Sequence, residues 1–82
     1  MALVRYWAAA RAAAGVAEER LDGGTLADAL AAAVAAHGPD LARVVGVCSF
    51  LVDGQPVGRR DPAGVELNAD AVVEVLPPFA GG

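Results

Sequence analysis

One stretch of the 82-residue sequence carries the period of a long helix, and it limits what everything around it can become. Leu26, Ala29, Leu30, Ala33, Val34 and His37 fall at i, i+3, i+4, i+7, i+8 and i+11, the spacing of a single apolar face. Thr25 followed by Asp28 makes a start like that of a capping box. Gly38-Pro39 ends the run, glycine suiting a left-handed cap and proline being unable to continue the helix. A helix with one apolar face must lie on another layer, and the flanking segments read as strands.

Residues Ala2 to Trp7 alternate, with Val4 and Tyr6 on one face and Leu3, Arg5 and Trp7 on the other. The charge of Arg5 makes the Val4/Tyr6 face the inward one. Ala8 to Ala14 (AAARAAA) predicts a short helix stopped by Gly15 and stable only when docked. Val16 to Asp22 reads as a polar edge strand broken by Gly23-Gly24. Leu41 to Gly46 fits neither period. Val47 to Val52 is a strand, Asp53-Gly54 a hairpin turn, and Gln55 to Gly58 a brief return in which Pro56 suits an edge. Arg59 to Gly64 is a polar loop, Val65 to Leu67 is expected to pair locally, and Ala71 to Leu76 is the last strand, stopped by Pro77-Pro78. This order predicts one α+β domain over residues 1–82: a mixed sheet of about five strands, covered on one face by a main helix plus a short helix. Residues 77–82 are expected to form a flexible C-terminal tail.

The charge balance narrows the function. The net charge is −4, and the only basic pair, Arg59-Arg60, is followed by Asp61, so nucleic-acid binding is disfavoured. An acidic body favours a partner with a basic docking surface. No apolar run approaches the roughly 20 residues of a membrane span, and no apolar stretch follows Arg5 as a secretory signal would require. A single cysteine cannot form an internal disulfide, which suits a reduced, cytoplasmic protein. All basic residues are arginine, so there is no lysine amine to accept an isopeptide bond.

Residues that might carry chemistry have structural explanations. Cys48, at an inward strand position, reads as a buried structural cysteine. His37, at a helix C-terminus, reads as a partner of the helix dipole or a cover for the core edge. Arg59-Arg60 reads as solvated loop. Trp7 is either an interface residue or packing under the short helix. The sequence holds no His/Cys/Asp cluster, no phosphate-binding glycine loop and no nucleophile–base pair.

The last residues are different: Leu76-Pro77-Pro78-Phe79-Ala80-Gly81-Gly82. A glycine pair packs nothing and frays. At average usage such an ending arises in roughly 0.5% of chains. The 10 glycines of this chain raise that to roughly three times the figure, so the pair alone decides little. The run before it, a hydrophobic strand and two prolines, is what suggests a tail built to leave the body.

Together these residues resemble the ubiquitin-like β-grasp sulfur carriers, most closely the small subunit of molybdopterin synthase. The resemblance spans the chain. It rests on Val4-Arg5-Tyr6-Trp7-Ala8 to Gly15, the Thr25-Leu26 helix start, Val52-Asp53-Gly54, and above all Val75-Leu76-Pro77-Pro78-Phe79-Ala80-Gly81-Gly82. Two departures concern turns. Ala69-Asp70-Ala71 stands where the family often has Asp-Gly-Asp, so Asp70 is expected to supply any left-handed geometry. Asp53 stands where asparagine is common.

The resemblance implies a non-catalytic carrier with a ubiquitin-like β-grasp fold, whose reactive group is the Gly82 carboxylate. A ubiquitin-activating-like adenylyltransferase would adenylate Gly82, using ATP that the carrier itself does not bind. A persulfide donor would convert the acyl-adenylate to a thiocarboxylate. The loaded tail would then deliver sulfur to a pyranopterin precursor in the large subunit of molybdopterin synthase. Glycine offers the activated carbonyl no Cβ to obstruct attack, Gly81 lets the chain thread a narrow channel, and Pro77-Pro78 favours an extended conformation that lowers the entropy lost on docking. Phe79 and Ala80 would line the partner's channel, with Phe79 as an anchor. By likeness to ubiquitin, Cys48, Phe50, Val52, Val73 and Val75 face the helix. Leu51 and Leu76 then lie on the other face as an exposed docking patch beside Pro78. No nucleic acid, membrane or metal partner is implied. Two other readings remain: a carrier for thiamine, cysteine or another sulfurated metabolite, and a ubiquitin-like modifier or interaction domain. The thiamine carriers usually lack a helix after the first strand, so Ala8 to Ala14 argues against that pathway.

Overall fold

The chain builds one mixed sheet from strands β1 (Ala2–Tyr6), β2 (Glu18–Leu21), β3 (Ser49–Val52), β4 (Gln55–Pro56) and β5 (Val72–Leu76), in the order β2-β1-β5-β3-β4. The computed structural model describes residues 1–78. β1 and β5 run parallel at the centre and the other neighbours pair antiparallel. The predicted α+β architecture with a mixed five-stranded sheet is what the chain forms.

Helices α1 (Ala8–Ala14), α2 (Leu26–His37) and α3 (Pro39–Val45) complete the fold. α1 begins directly after β1, entered through Ala8 at φ 49°, and ends at Gly15 with φ 78°, where glycine carries no steric penalty. α2 starts as the sequence predicts: the Thr25 hydroxyl accepts from the Asp28 amide at 3.2 Å. It buries Leu26, Ala29, Leu30 and Ala33. These meet Val4, Tyr6, Val73 and Val75 of the sheet, all at most 2% exposed, with Ala10, Ala14 and Leu41 of the other helices.

Three expectations require correction. The sequence predicted one main and one short helix, with Gly38-Pro39 as a terminator; α3 starts at Pro39 instead. Proline at the first helical position gives up an amide that has no partner there, and its fixed φ suits entry into a helix, so the dipeptide ends α2 and begins α3. Leu41, fully buried, is the reason α3 docks. Val65 to Leu67 pairs not locally but with the start of α2. The Leu26 amide donates to the Val65 carbonyl at 2.8 Å and the Leu67 amide to the Gly24 carbonyl at 3.0 Å. Asp70 does not take up left-handed geometry. The positive φ values in the β-hairpin belong to Asp53 (51°) and Gly54 (80°), the pattern of a two-residue type I′ turn. Asp53 also grips the start of β5: its amide donates to the Val72 carbonyl, and its Oδ1 accepts from the Val72 amide, both at 2.9 Å.

Candidate functional site

β5 leads to the sequence-predicted site, and it is the best anchored strand in the sheet. It lies between β1 and β3, its inward residues Val73 and Val75 are fully buried, and Leu76 is its last residue. Pro77 and Pro78 follow outside any regular element, Pro78 exposed. The expected site residues Phe79, Ala80, Gly81 and Gly82 lie outside the described residues, as does most of the predicted flexible tail. The trunk of the site is therefore a central strand whose displacement would require opening the core.

Leu51 and Leu76 occupy the sheet face away from the helices, as expected, since the inward neighbours Phe50, Val52 and Val75 contact the core. Neither leucine is exposed, however; both are half-buried. They are also not cross-strand partners. Leu51 stands opposite Glu74 and Leu76 opposite Ser49, so the two leucines meet on a diagonal.

The registers define the rest of that face. One row runs Glu18, Arg5, Glu74, Leu51, Pro56 across all five strands. Arg5 Nε lies 3.4 Å from Glu18 Oε1, with both side chains about half exposed, so this pair contributes little stability. One step toward the tail, the Trp7 amide donates to the Val75 carbonyl at 3.2 Å, which sets Trp7 beside Leu76. Trp7 is 48% exposed, and its side chain makes no capping hydrogen bond to α1.

The other candidates have structural roles. Cys48 is half-buried rather than buried. Its Sγ lies 3.1 Å from the Val44 carbonyl as a donor, and burial pushes the thiol pKa up, away from the reactive thiolate. His37 joins a side-chain network instead of acting through the helix dipole alone: its Nε2 hydrogen bonds Glu19 Oε2, and the same oxygen accepts from the Tyr6 hydroxyl at 2.6 Å. The tyrosine pKa is raised, first by burial and then by the hydrogen bond and charge of Glu19. Glu19 was invisible as a hub in the sequence, because its inward aim follows only from the β1–β2 register. Arg59 and Arg60 are both exposed, and the Arg60 guanidinium donates to the Val57 and Pro56 carbonyls at 3.2 and 3.4 Å. An open depression of about 520 Å³ at the hairpin is lined by Thr25, Asp53, Arg60 and Glu66 among others, with charges of both signs. Among the described residues no three His, Cys, Asp or Glu side chains converge as a metal site, and no helix is long and apolar enough to cross a membrane.

Residues 4–82 match the ThiS family. Among solved structures, the chain is similar to SAMP1, the small archaeal modifier protein 1, from Haloferax volcanii, at 29% identity and a TM-score of 0.81, covering 99% of this chain and 98% of that one. It is similar also to a Pyrococcus furiosus protein provisionally named molybdopterin converting factor subunit 1, at 27% identity and a TM-score of 0.76 over 95% of this chain and 97% of that one. A subunit in the complex of subunits 1 and 2 of the Helicobacter pylori molybdopterin-converting factor shares the fold at 20% identity, with a TM-score of 0.67 over 99% of this chain and 97% of that one. A search of curated protein sequences finds no significant match.

Proposed function

The chain belongs to the ThiS family, and from that premise we propose that it is the sulfur carrier of molybdopterin biosynthesis, with the Gly82 carboxylate as its reacting group. The observation that carries the reading is the reach of the family match: it continues through β5 and Pro77-Pro78 to Gly82, so body and tail belong to one pattern. The similarity to a molybdopterin converting factor subunit 1 at 27% identity supports the pathway.

The chemistry needs little from the carrier's side chains. A carboxylate is a poor electrophile; transfer of AMP from ATP, with loss of pyrophosphate, gives Gly82 a leaving group. A persulfide sulfur then attacks the carbonyl, AMP departs, and the resulting acyl disulfide is cleaved by a second thiol to leave a thiocarboxylate. The large synthase subunit would supply the site where that sulfur passes to the pterin precursor. The carrier's part is to hold the tail on a strand that does not yield and to present one carbonyl without a Cβ.

Incubation with a ubiquitin-activating-like adenylyltransferase, ATP and a persulfide donor should exchange one oxygen of the chain for sulfur, read by intact mass. An unchanged mass with every activating enzyme of the same genome sinks the reading. A second reading, a protein modifier, is favoured by the similarity to a small archaeal modifier protein at 29% identity. It predicts covalent conjugates between Gly82 and the lysines of other proteins, seen as a diglycine remnant after digestion.

A further inference from the structure

The sheet is bounded by β2 and β4, and the two edges differ in their backbones. At the β4 edge the Val57 amide donates inward to the Phe50 carbonyl, so the neighbouring residue that turns its backbone outward is Pro56. Proline has no amide to offer there, and the Pro56 carbonyl accepts from the Arg60 guanidinium at 3.4 Å. That edge is closed. At the β2 edge the Tyr6 amide donates to the Ala17 carbonyl at 2.9 Å, which fixes the alternation of the β1–β2 ladder. Ala17, Glu19 and Leu21 turn their backbone groups toward β1, and Glu18 and Arg20 turn theirs outward. Among the described residues no turn, loop or cap hydrogen bond takes up the Glu18 or Arg20 amide or carbonyl. Such a row of unmet groups is a template for another strand.

We propose that the β2 edge is a self-association site, where a second copy of the chain adds its own β2 antiparallel, about a two-fold axis at Glu19, to make one continuous sheet. The side chains select this register. Strands joined with the helices on one side pair residues of the same face, so the axis falls on a residue and not between two. An axis at Glu18 sets that carboxylate against its own copy. An axis at Arg20 sets arginine against arginine and Glu18 against Asp22. An axis at Glu19 sets Glu18 opposite Arg20 of the second copy, and Arg20 opposite its Glu18. Both pairs are also the ones that exchange backbone hydrogen bonds, so charge and ladder agree. Arg5, whose Nε lies 3.4 Å from Glu18 Oε1, extends each pair into a row of alternating charge. Glu19 meets its own copy on the helix face, and each of those carboxylates is already held by the Tyr6 hydroxyl and His37. β2 is four residues long, so the association is weak and reversible. β1 separates β5 from the junction, which leaves the end of β5 open in both copies. The inference does not depend on the sulfur-carrier reading.

The test uses the full chain. Sedimentation velocity should show a reversible rise from monomer to dimer as the concentration approaches about 1 mM. Amide hydrogen exchange over the same range should slow at Glu18 and Arg20, while Glu19 and Leu21, bonded to β1, stay protected throughout. Arg20→Pro copies the closure of the β4 edge: it removes an outward amide, leaves the β1–β2 ladder intact, and should abolish the dimer with the circular dichroism unchanged. Glu18→Arg and Arg20→Glu should each weaken self-association about tenfold or more, because each turns both ion pairs into like-charge pairs. The two variants mixed, or the two changes combined in one chain, should recover it. The proposal is overturned if the chain stays monomeric at about 1 mM. It is overturned equally if a dimer forms without slowing exchange at Glu18 and Arg20, or if the combined charge swap associates no better than the single variants. Should Arg20→Pro fail to fold, the charge swap and the exchange pattern still decide.

Discussion

The Tyr6 hydroxyl donates to Glu19 Oε2 at 2.6 Å, and the same oxygen receives His37 from the end of α2. Through this carboxylate the central strand, the edge strand and the main helix are tied at one point. Tyr6 is 2% exposed, so its hydroxyl has no water to fall back on. Tyr6→Phe should cost about 1 kcal/mol, and Glu19→Ala should cost more because it strands the tyrosine hydroxyl. Combining Glu19→Ala with Tyr6→Phe should cost less than the sum, measured by urea denaturation as a double-mutant cycle.

The same contact makes the fold sensitive to alkali. Burial and Glu19 raise the Tyr6 pKa above its ordinary value of 10.0. Below that value tyrosine is protonated in both states, and its contribution to stability is fully present. Above it the unfolded chain releases the proton and the folded chain holds it, so stability falls as pH rises, by up to about 1.4 kcal/mol per pH unit from this group. Tyr6 is the only tyrosine, so Tyr6→Phe should flatten the decline. A smaller slope should remain from Cys48, whose thiol is also raised by burial.

A third prediction concerns a glycine that is not there for a turn. A Cβ on Gly23 would lie 2.6 Å from the Ala29 amide nitrogen and 2.9 Å from its Cα, both backbone atoms at the start of α2. Gly23→Ala must push α2 away from the segment leaving β2, and should cost about 1–3 kcal/mol in a thermal melt. The adjacent Gly24→Ala is the control: the nearest atom is a side-chain oxygen at 4.0 Å, and the loss should stay under about 1 kcal/mol.

Features carried by neighbouring residues were the legible ones. The α2 face, the Thr25 cap, the Gly15 stop, the Asp53-Gly54 turn and the inward aim of Val4 and Tyr6 each follow from a spacing or a backbone preference within a few residues. What failed needed distant information. α3 was hidden because proline reads as a stop until its value at a first helical position is weighed against the burial of Leu41. The bond between Val65 and Leu26 joins segments about forty residues apart, and no local pattern announces it. The patch of Leu51 and Leu76 was placed on the correct face, but its exposure depended on neighbours such as Glu74 and Trp7, which only the registers reveal. The reading of the tail rests on its composition, and Phe79 to Gly82 lie outside the described residues.

Asp53 tests how far turn and clamp can be separated. Asp53→Asn keeps an acceptor for the Val72 amide and tolerates the left-handed backbone, so stability should change by less than about 0.5 kcal/mol. Asp53→Ala loses the acceptor and suits φ 51° poorly, and should cost about 1–2 kcal/mol. Hydrogen exchange at the Val72 amide would localise the loss: it should accelerate in the alanine variant and not in the asparagine variant.

The last prediction separates the body from the reaction end. Val75 is fully buried in the central strand, and Val75→Asp places a carboxylate among apolar side chains with no partner, so the chain should unfold by circular dichroism. Leu51→Arg changes a half-buried residue on the outer face whose long stem can still cover its neighbours. It should lose about 1 kcal/mol or less of stability and about tenfold or more in affinity for the adenylyltransferase. Deleting Gly82, or adding one residue after it, should abolish sulfur acquisition and move the Tm by about a degree or less, since the body residues that hold the fold are untouched. A large drop in Tm on deletion would assign the tail a structural role and remove it as the reacting group. A deletion variant that still gains sulfur would move the reaction away from Gly82. The three variants thus report independently on the strand that holds the tail, the face that docks and the carbonyl that reacts.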